Sequence, residues 1–358
     1  MLKYGIIGCG MMGREHIRNI SLLSDTKVSG IFEPNLEMRK LASQLAPEAI
    51  FCETLEDLIL NVPIDCLIIA TPNFCHIQDL CKIANIKQMP ILIEKPIVTN
   101  LQDIRKLRDF QKTYSSQIWV AMEYRFIPAL QDFIKNSHRT TGGVKMLSIR
   151  EHRYPFLQKV DNWNRFNKYS GGTFVEKCCH FFDLMRLISA SDPIQIMASG
   201  GQDFNHLDEY YDGEKSDIWD NGYVIVDFEN GSRAMLELCM FADVSTFQEE
   251  ISAVGNKGKI ECKLIGPKRF WDISGIEQPF SSIIKNDRRS RTITTSHIPV
   301  DPILLEAGDH NGSTFFQHME FQKMLLGERS VEVSVEDGVW AVRMGLAAQR
   351  SVLEKRFI

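Results

Sequence analysis

Tyr4-Gly5-Ile6-Ile7-Gly8-Cys9-Gly10-Met11-Met12-Gly13 is the stretch on which the reading of the amino-terminal half turns. Tyr4–Ile7 is an apolar run of strand type, and the next six residues fit G-x-G-x-x-G at the mouth of a helix. Alone that pattern is weak; between a strand and a helix it reads as a dinucleotide-binding turn. Gly8 permits the tight turn, Gly10 lets backbone approach a pyrophosphate, and Gly13 lets helix and strand pack closely. The free amides from Met11 and Met12 onward and the positive helix end then bind the diphosphate. Glu33 closes the second expected strand twenty positions after Gly13. A carboxylate there accepts from the adenosine ribose hydroxyls and repels a 2′-phosphate, which favours NAD over NADP. Pro34 follows where a phosphate-binding arginine would sit, and Arg39 is the cation that could still reach.

Outward from this turn, strand and helix signals alternate for about 120 residues. Val28–Phe32, Cys66–Ala70, Ile91–Ile93 and Ile118–Ala121 read as buried strands, with helical spacing in Leu36–Leu45 and Phe74–Ala84. Thr54 followed by Asp57 suits a helix start. The pattern implies a doubly wound parallel sheet covered on both faces, assigned to residues 1–123. Polar residues close two of its strands: Thr71-Pro72-Asn73 after Cys66–Ala70, and Glu94-Lys95-Pro96 after Ile91–Ile93. Ligands of open α/β sheets lie beyond the carboxyl ends of the strands, so Lys95 is expected at the cofactor's reactive end.

After Tyr124 the pattern changes. Residues 144–150, 194–199, 222–229, 232–240, 247–254 and 258–264 read as strands, with helices near 172–189, 313–325 and 335–354. Asn230-Gly231 predicts a two-residue hairpin turn, and Asn256-Lys257-Gly258 a second turn. Residues 124–358 are therefore expected to form an α/β domain with an open, mainly antiparallel sheet. The acidic stretch 203–220 reads as a long surface loop, and 266–308 carries no periodicity.

The chemical signal of this half is Gly171-Gly172-Thr173-Phe174-Val175-Glu176-Lys177-Cys178-Cys179-His180-Phe181-Phe182-Asp183. On one continuous helix Glu176, His180 and Asp183 share a face at i, i+4 and i+7, while Phe174, Cys178, Phe181, Met185 and Ile188 face the core. A solvated polar face is the plainer account. A compact histidine between two carboxylates instead suits a general base whose tautomer is fixed by its neighbour. Cys178, Cys179 and His180 point in different directions and lack a second ligand pair, so no metal is expected. Cys178 belongs to the apolar face and is a poor thiolate.

In this order and spacing, Gly8–Gly13, Ala70-Thr71-Pro72-Asn73 with His76, Glu94-Lys95-Pro96, Arg125 with Pro128, and Gly171-Gly172 through Asp183 resemble the Gfo/Idh/MocA family of NAD(P)-dependent oxidoreductases. The resemblance is nearest to the inositol and sugar dehydrogenases. It implies catalysis by Lys95 and His180 with Glu176 as acidic partner, although the family usually has Asp at that position. It also implies NAD as cofactor, a cyclic polyol or sugar as substrate, and a homodimer or homotetramer joined through the open sheet. Arg125, Arg153, Trp163, Asn164, Arg165, Asp183 and His310 are the candidate substrate ligands. A nucleotide-linked sugar, an amino sugar or a dihydrodiol remain alternative substrates, and a ligand sensor of the same fold is the non-catalytic alternative. A sensor would be expected to lack Lys95 or His180.

Bulk properties narrow the field. The length of 358 residues suits two domains, and 44% hydrophobic residues supply two cores. A net charge of -5 argues against a nucleic-acid surface; Arg288, Arg289 and Arg291 form a short solvated cluster. The most apolar run, Cys66–Ala70, is far below the roughly 20 residues of a membrane span. Neither nucleic acid nor membrane is expected as a partner. Nine scattered cysteines read as thiols of a reducing compartment, and no signal peptide precedes Leu2–Ile7, so a cytoplasmic location is expected.

Overall fold

The computed structural model describes residues 1–271, 275 and 277–358. In the amino-terminal half, β1 (Leu2–Ile7), β2 (Thr26–Phe32), β3 (Ile50–Cys52), β4 (Cys66–Ile69), β5 (Ile91–Ile93) and β6 (Ile118–Val120) form one parallel sheet in the order β3-β2-β1-β4-β5-β6. Helices α1 (Met11–Ser21), α2 (Leu36–Leu45), α3 (Leu55–Asn61), α4 (His76–Ile86) and α5 (Leu101–Gln111) connect the strands. The central strands β4 and β5 are buried at every position, because helices cover both faces. Thr54 Oγ1 accepts the Asp57 amide at 3.0 Å and starts α3. The chain reverses direction in the sheet between β1 and β4, so the turns after those strands open one crevice.

The other half holds an eight-stranded sheet. Its strands are β7 (Met146–His152), β8 (Pro193–Gly201), β11 (Asn221–Phe228), β12 (Arg233–Cys239), β13 (Glu249–Val254), β14 (Gly258–Leu264), β15 (Ser282–Asp287) and β16 (Thr292–His297). Their order is β16-β15-β14-β13-β7-β12-β11-β8, antiparallel except for β7 with β12. Alternation fixes the faces: Val224, Val226 and Phe228 point inward, Tyr223 and Ile225 outward. The inner face packs on α6 (Pro128–Thr141), α9 (Cys179–Ser189) and α12 (Val335–Glu354), while the short α7 (Asn167–Ser170) and α8 (Thr173–Glu176) precede α9. α10 (Pro302–Ala307) and α11 (Ser313–Leu325) lean back on α1. A capping box between Ser334 and Asp337 starts α12. Among the described residues no helix is long and apolar enough to cross a membrane.

Several expectations need correction. The hairpin between β11 and β12 is not a two-residue turn: Phe228 and Ser232 pair across three residues, and only Gly231 takes positive φ, at 75°. Asn230 instead uses its side chain, accepting from the Ser232 amide at 2.9 Å. The turn at Asn256-Lys257-Gly258 does join two antiparallel strands, β13 and β14. The acidic stretch 203–220 carries a small hairpin of β9 (Tyr210–Tyr211) and β10 (Glu214–Lys215), and it is tied to the body by Glu209 and Arg165 at 2.8 Å. The stretch 266–308 contains β15, β16 and α10; its residues 272–274 and 276 lie outside the described residues. Polar alternation is weak there because β16 is exposed along its whole length.

The expected helix 172–189 is two helices broken at Lys177 and Cys178. In a continuous helix the Glu176 carbonyl would take the His180 amide. Here it accepts from Lys95 Nζ at 3.2 Å and from the Cys179 thiol at 3.5 Å. A residue from the other sheet thus interrupts the ladder. All of Glu176, His180 and Asp183 are buried, so the segment has no solvated face.

Candidate active site

The glycine turn after β1 has the shape its sequence implies. Gly8 takes φ 86°, which only glycine adopts freely. A Cβ at Gly13 would collide with the Gly8 carbonyl, whereas one at Gly10 would meet nothing within 4 Å. The open side of the turn is therefore at Gly10, where the amides of Met11 and Met12 begin α1 without a side-chain cap. An unfilled helix start beside an open glycine is a cradle for a diphosphate, so these residues fit a dinucleotide.

Glu33 directly follows β2, buried beside this turn, its carboxylate accepting from the Cys9 and Asn35 amides. Arg39 is held away on Glu53 at 2.7 Å. Arg14, which the sequence reading passed over, donates to the Cys9 carbonyl at 2.9 Å and so places a cation on the turn itself. Thr71 donates to Asp79 at 2.8 Å, and Pro72 leads into the helical turn at Asn73. Asn73 donates to the Ser170 carbonyl at 3.2 Å, joining this strand end to the second half. His76 lies 2.8 Å from the Pro96 carbonyl oxygen and 3.0 Å from that of Thr71, so it braces two loops and is not free for a ligand.

Lys95 and His180 come together where the two halves meet. Glu94 holds the Lys95 amide at 3.2 Å and pairs with His16 at 2.9 Å. Burial works against charge on Lys95, but the surrounding negative groups raise its pKa. Among these groups Cys179 comes first, its own thiol pushed up to about 11 by burial, and then the Glu94, Glu176 and Glu123 carboxylates. His180 is pushed the other way. Burial first, then the positive charges of Lys95, Lys177, His310 and Arg153, hold it well below the usual histidine range. The pair is a charged donor beside a neutral imidazole whose Nδ1 is buried without a partner.

The acidic partner expected for His180 is not there. Glu176 Oε1 accepts from Lys159 Nζ at 2.9 Å, and its Oε2 is buried without a partner. The helix break turns the carboxylate out of line with the imidazole. His180 instead stacks on Tyr124, with ring centroids 4.3 Å apart and planes 13° from parallel. Tyr124 donates to Glu249 at 3.0 Å and accepts from Lys177 at 2.7 Å. Glu249 faces Glu151 across the β13–β7 ladder, and burial with this like charge raises it to about 7. Lys177 lies 2.9 Å from Glu151 and offsets one of the two charges. Tyr124 and Lys159 carried no signal in the sequence beyond their nearness to Arg125 and Trp163.

Among the candidate substrate ligands, Arg125 and Asp183 are spent on each other in a buried two-bond ion pair. Arg153 donates to the Tyr154 carbonyl at 3.1 Å and stands 3.7 Å from Glu151. Trp163 lies under Lys159, whose ammonium is 4.4 Å from the ring centroid. Asn164 donates to the Leu157 carbonyl and Arg165 is bonded to Glu209, yet Asn164 Oδ1 and Arg165 Nη1 are buried without partners. His310 is drawn to Glu15 at 3.0 Å and Glu123 at 3.5 Å.

Comparison with known proteins agrees with the fold of both halves. A family model described as the NAD-binding Rossmann fold of an oxidoreductase family matches residues 2–122, and that family's C-terminal alpha/beta domain matches 139–358. The myo-inositol 2-dehydrogenase of Thermotoga maritima is 23% identical over all of this chain and 98% of its own length. Two solved structures cover the whole chain: a myo-inositol dehydrogenase from Corynebacterium glutamicum (TM-score 0.76, 18% identity, 98% of that chain) and GenD2 from gentamicin A biosynthesis in complex with NAD (0.77, 17%, 95%). At such identities the structures establish likeness of fold.

Proposed function

Because the chain belongs to the Gfo/Idh/MocA family of oxidoreductases, we propose that it is an NAD-dependent dehydrogenase oxidising a secondary hydroxyl of a cyclic polyol or sugar. Residues 1–123 hold the dinucleotide and 124–358 the substrate. The observation that carries this reading is the charged Lys95 beside the neutral, unpartnered His180 at the carboxyl ends of the parallel strands. NAD, which the Gly8–Gly13 turn and Glu33 would hold, would supply the hydride acceptor for the hydroxyl-bearing carbon. Lys95 donates to the reacting oxygen and stabilises charge as it develops there, and His180 takes the hydroxyl proton. Glu176 Oε2, Asn164 Oδ1 and Arg165 Nη1 offer one donor and two acceptors without protein partners. A polyhydroxylated ring supplies matching groups, since buried polar atoms are normally paired. Trp163 gives such a ring an apolar wall. Glu176 thus acts on the substrate and through Lys159, and the imidazole is held by Tyr124.

NADH formation with a panel of inositols, aldoses and sugar acids, run with NAD and with NADP, tests the reading. Turnover with one polyol is expected, with NAD preferred by about two orders of magnitude, as a buried carboxylate facing a 2′-phosphate predicts. A cofactor-bound enzyme that turns over no member of the panel sinks the polyol assignment. Preference for NADP would put the 2′-phosphate on Arg14 and overturn the role of Glu33.

The bare face of the eight-stranded sheet supports a homodimer or homotetramer. Ile225 pairs in register with Met197 and Met235 there, and Tyr223, Ile225 and Met197 are all exposed. An apolar stripe of this kind marks an interaction surface. Light scattering is expected to give a dimer or tetramer for the wild type, and monomers that still bind NADH for Ile225→Asp. An unchanged oligomer in the variant would move the interface elsewhere.

A further inference from the structure

We propose that Glu15, Glu123 and His310 form a binding site for one divalent metal ion of the zinc or manganese class. No spacing in the sequence marks this cluster, because the three residues come from α1, from the segment after β6 and from the approach to α11. Folding brings one ligand atom from each within 4.8 Å of the others. His310 Nδ1 lies 3.0 Å from Glu15 Oε1 and 3.5 Å from Glu123 Oε1. Ligands held about 2.0–2.2 Å from a tetrahedral zinc stand about 3.4 Å apart, a separation that the two His310 distances bracket.

A second observation points to a missing cation. Glu123 is 2% exposed and Glu15 3%, and Glu123 Oε1 is buried with no hydrogen-bond donor. Thr314 Oγ1 lies 2.7 Å from Glu15 and 2.8 Å from Glu123. A hydroxyl has one proton and can donate to only one of them. Two buried carboxylates thus share the Thr314 hydroxyl and one imidazole edge, with only a long 3.5 Å contact from the Ser313 hydroxyl to Glu123 Oε2 besides, and Glu123 Oε1 takes neither hydroxyl. The one positive charge of His310 matches only one of the two buried carboxylates, and a divalent ion that displaces its proton at the shared centre matches both. Carboxylate oxygen with imidazole nitrogen is a donor set for zinc or manganese, not for the softer thiolate-bound metals. Among the described residues no fourth metal-binding side chain joins the cluster, so the remaining positions fall to water or to an oxygen of a bound ligand.

Binding of Mn2+ to the full-length protein, followed by loss of the free-ion electron paramagnetic resonance signal and by displacement with Zn2+, tests the site directly and without reference to catalysis. One ion per chain is expected, with the midpoint of thermal unfolding raised by about 5 °C at a hundredfold excess over Kd. Glu123→Gln and His310→Gln are each expected to weaken binding on the order of a hundredfold while NADH fluorescence shows the dinucleotide still bound. The wild-type titration stands even if a variant does not fold. Failure of the wild type to bind Mn2+ or Zn2+ at millimolar concentration overturns the proposal, and so does unchanged binding in both variants. In either case the cluster is an internal ion pair only.

Discussion

His180→Ala is expected to lower kcat by about 10^3, or roughly 4 kcal/mol of transition-state stabilisation, with little change in NADH affinity. The size follows from what the imidazole has to do in a buried site. His180 is buried and its Nδ1 has no protein partner, so no other side chain stands ready to replace it as base. Burial first, and then the surrounding cations, make it a weak base, so the hydroxyl must be made more acidic as the proton leaves. Lys95 supplies that, and Lys95→Ala is expected to cost about 10^2 to 10^3 in kcat. Tyr124 offsets the charge that arrives on the imidazole: its ring is stacked on His180 and its hydroxyl donates to Glu249. Because the two groups act on one oxygen, the double variant should lose far less than the product of the single losses. The pH profile adds a sign. A histidine held below its usual range is already neutral at pH 7, so wild-type kcat/KM for oxidation should fall only well below pH 6.5. That acid limb should vanish in His180→Ala. A variant with kcat within about threefold of the wild type, or with the acid limb intact, removes His180 from the chemistry.

How much of this was legible in the sequence depended on how far apart the interacting residues are. The turn at Gly8–Gly13 is local, and the collision that makes Gly13 necessary involves a residue five positions away. Strand alternation in β11 is likewise written into successive residues. The site is different. Glu176 and His180 are separated by one helical turn in sequence, and periodicity placed them on a shared face. Lys95, 81 residues earlier, takes the carbonyl that would have kept that helix continuous. Local spacing cannot register a competitor from another sheet. The pairing of Glu15 with His310 spans 295 residues and has no local signature at all. Sequence therefore marked Lys95 and His180 as chemically suggestive, and only the fold could say which neighbours they answer to.

Asp183→Ala is expected to destabilise the protein by about 3–5 kcal/mol and to leave KM per folded molecule nearly unchanged. Arg125 and Asp183 are 6% and 2% exposed at their side chains, with Nε at 2.7 Å from one carboxylate oxygen and Nη2 on the other. Removing the carboxylate leaves a buried guanidinium that must find another anion. Asp337 stands 3.5 Å away, but Arg186 already holds it at 2.7 Å, and the Glu332 carbonyl at 3.2 Å is a neutral acceptor. Partial rescue by Asp337 should keep the loss toward the lower end, a fall in Tm of roughly 10 °C. The joint replacement Arg125→Met with Asp183→Leu separates a structural pair from a substrate ligand. Removing both charges spares the cost of an unpaired one, so much of the stability should return. A substrate ligand would behave in the opposite way: Asp183→Ala would raise KM while Tm stayed put, and the double variant would be as inactive as the single one. That outcome would return Asp183 to the pocket and require Arg125 to release it on binding.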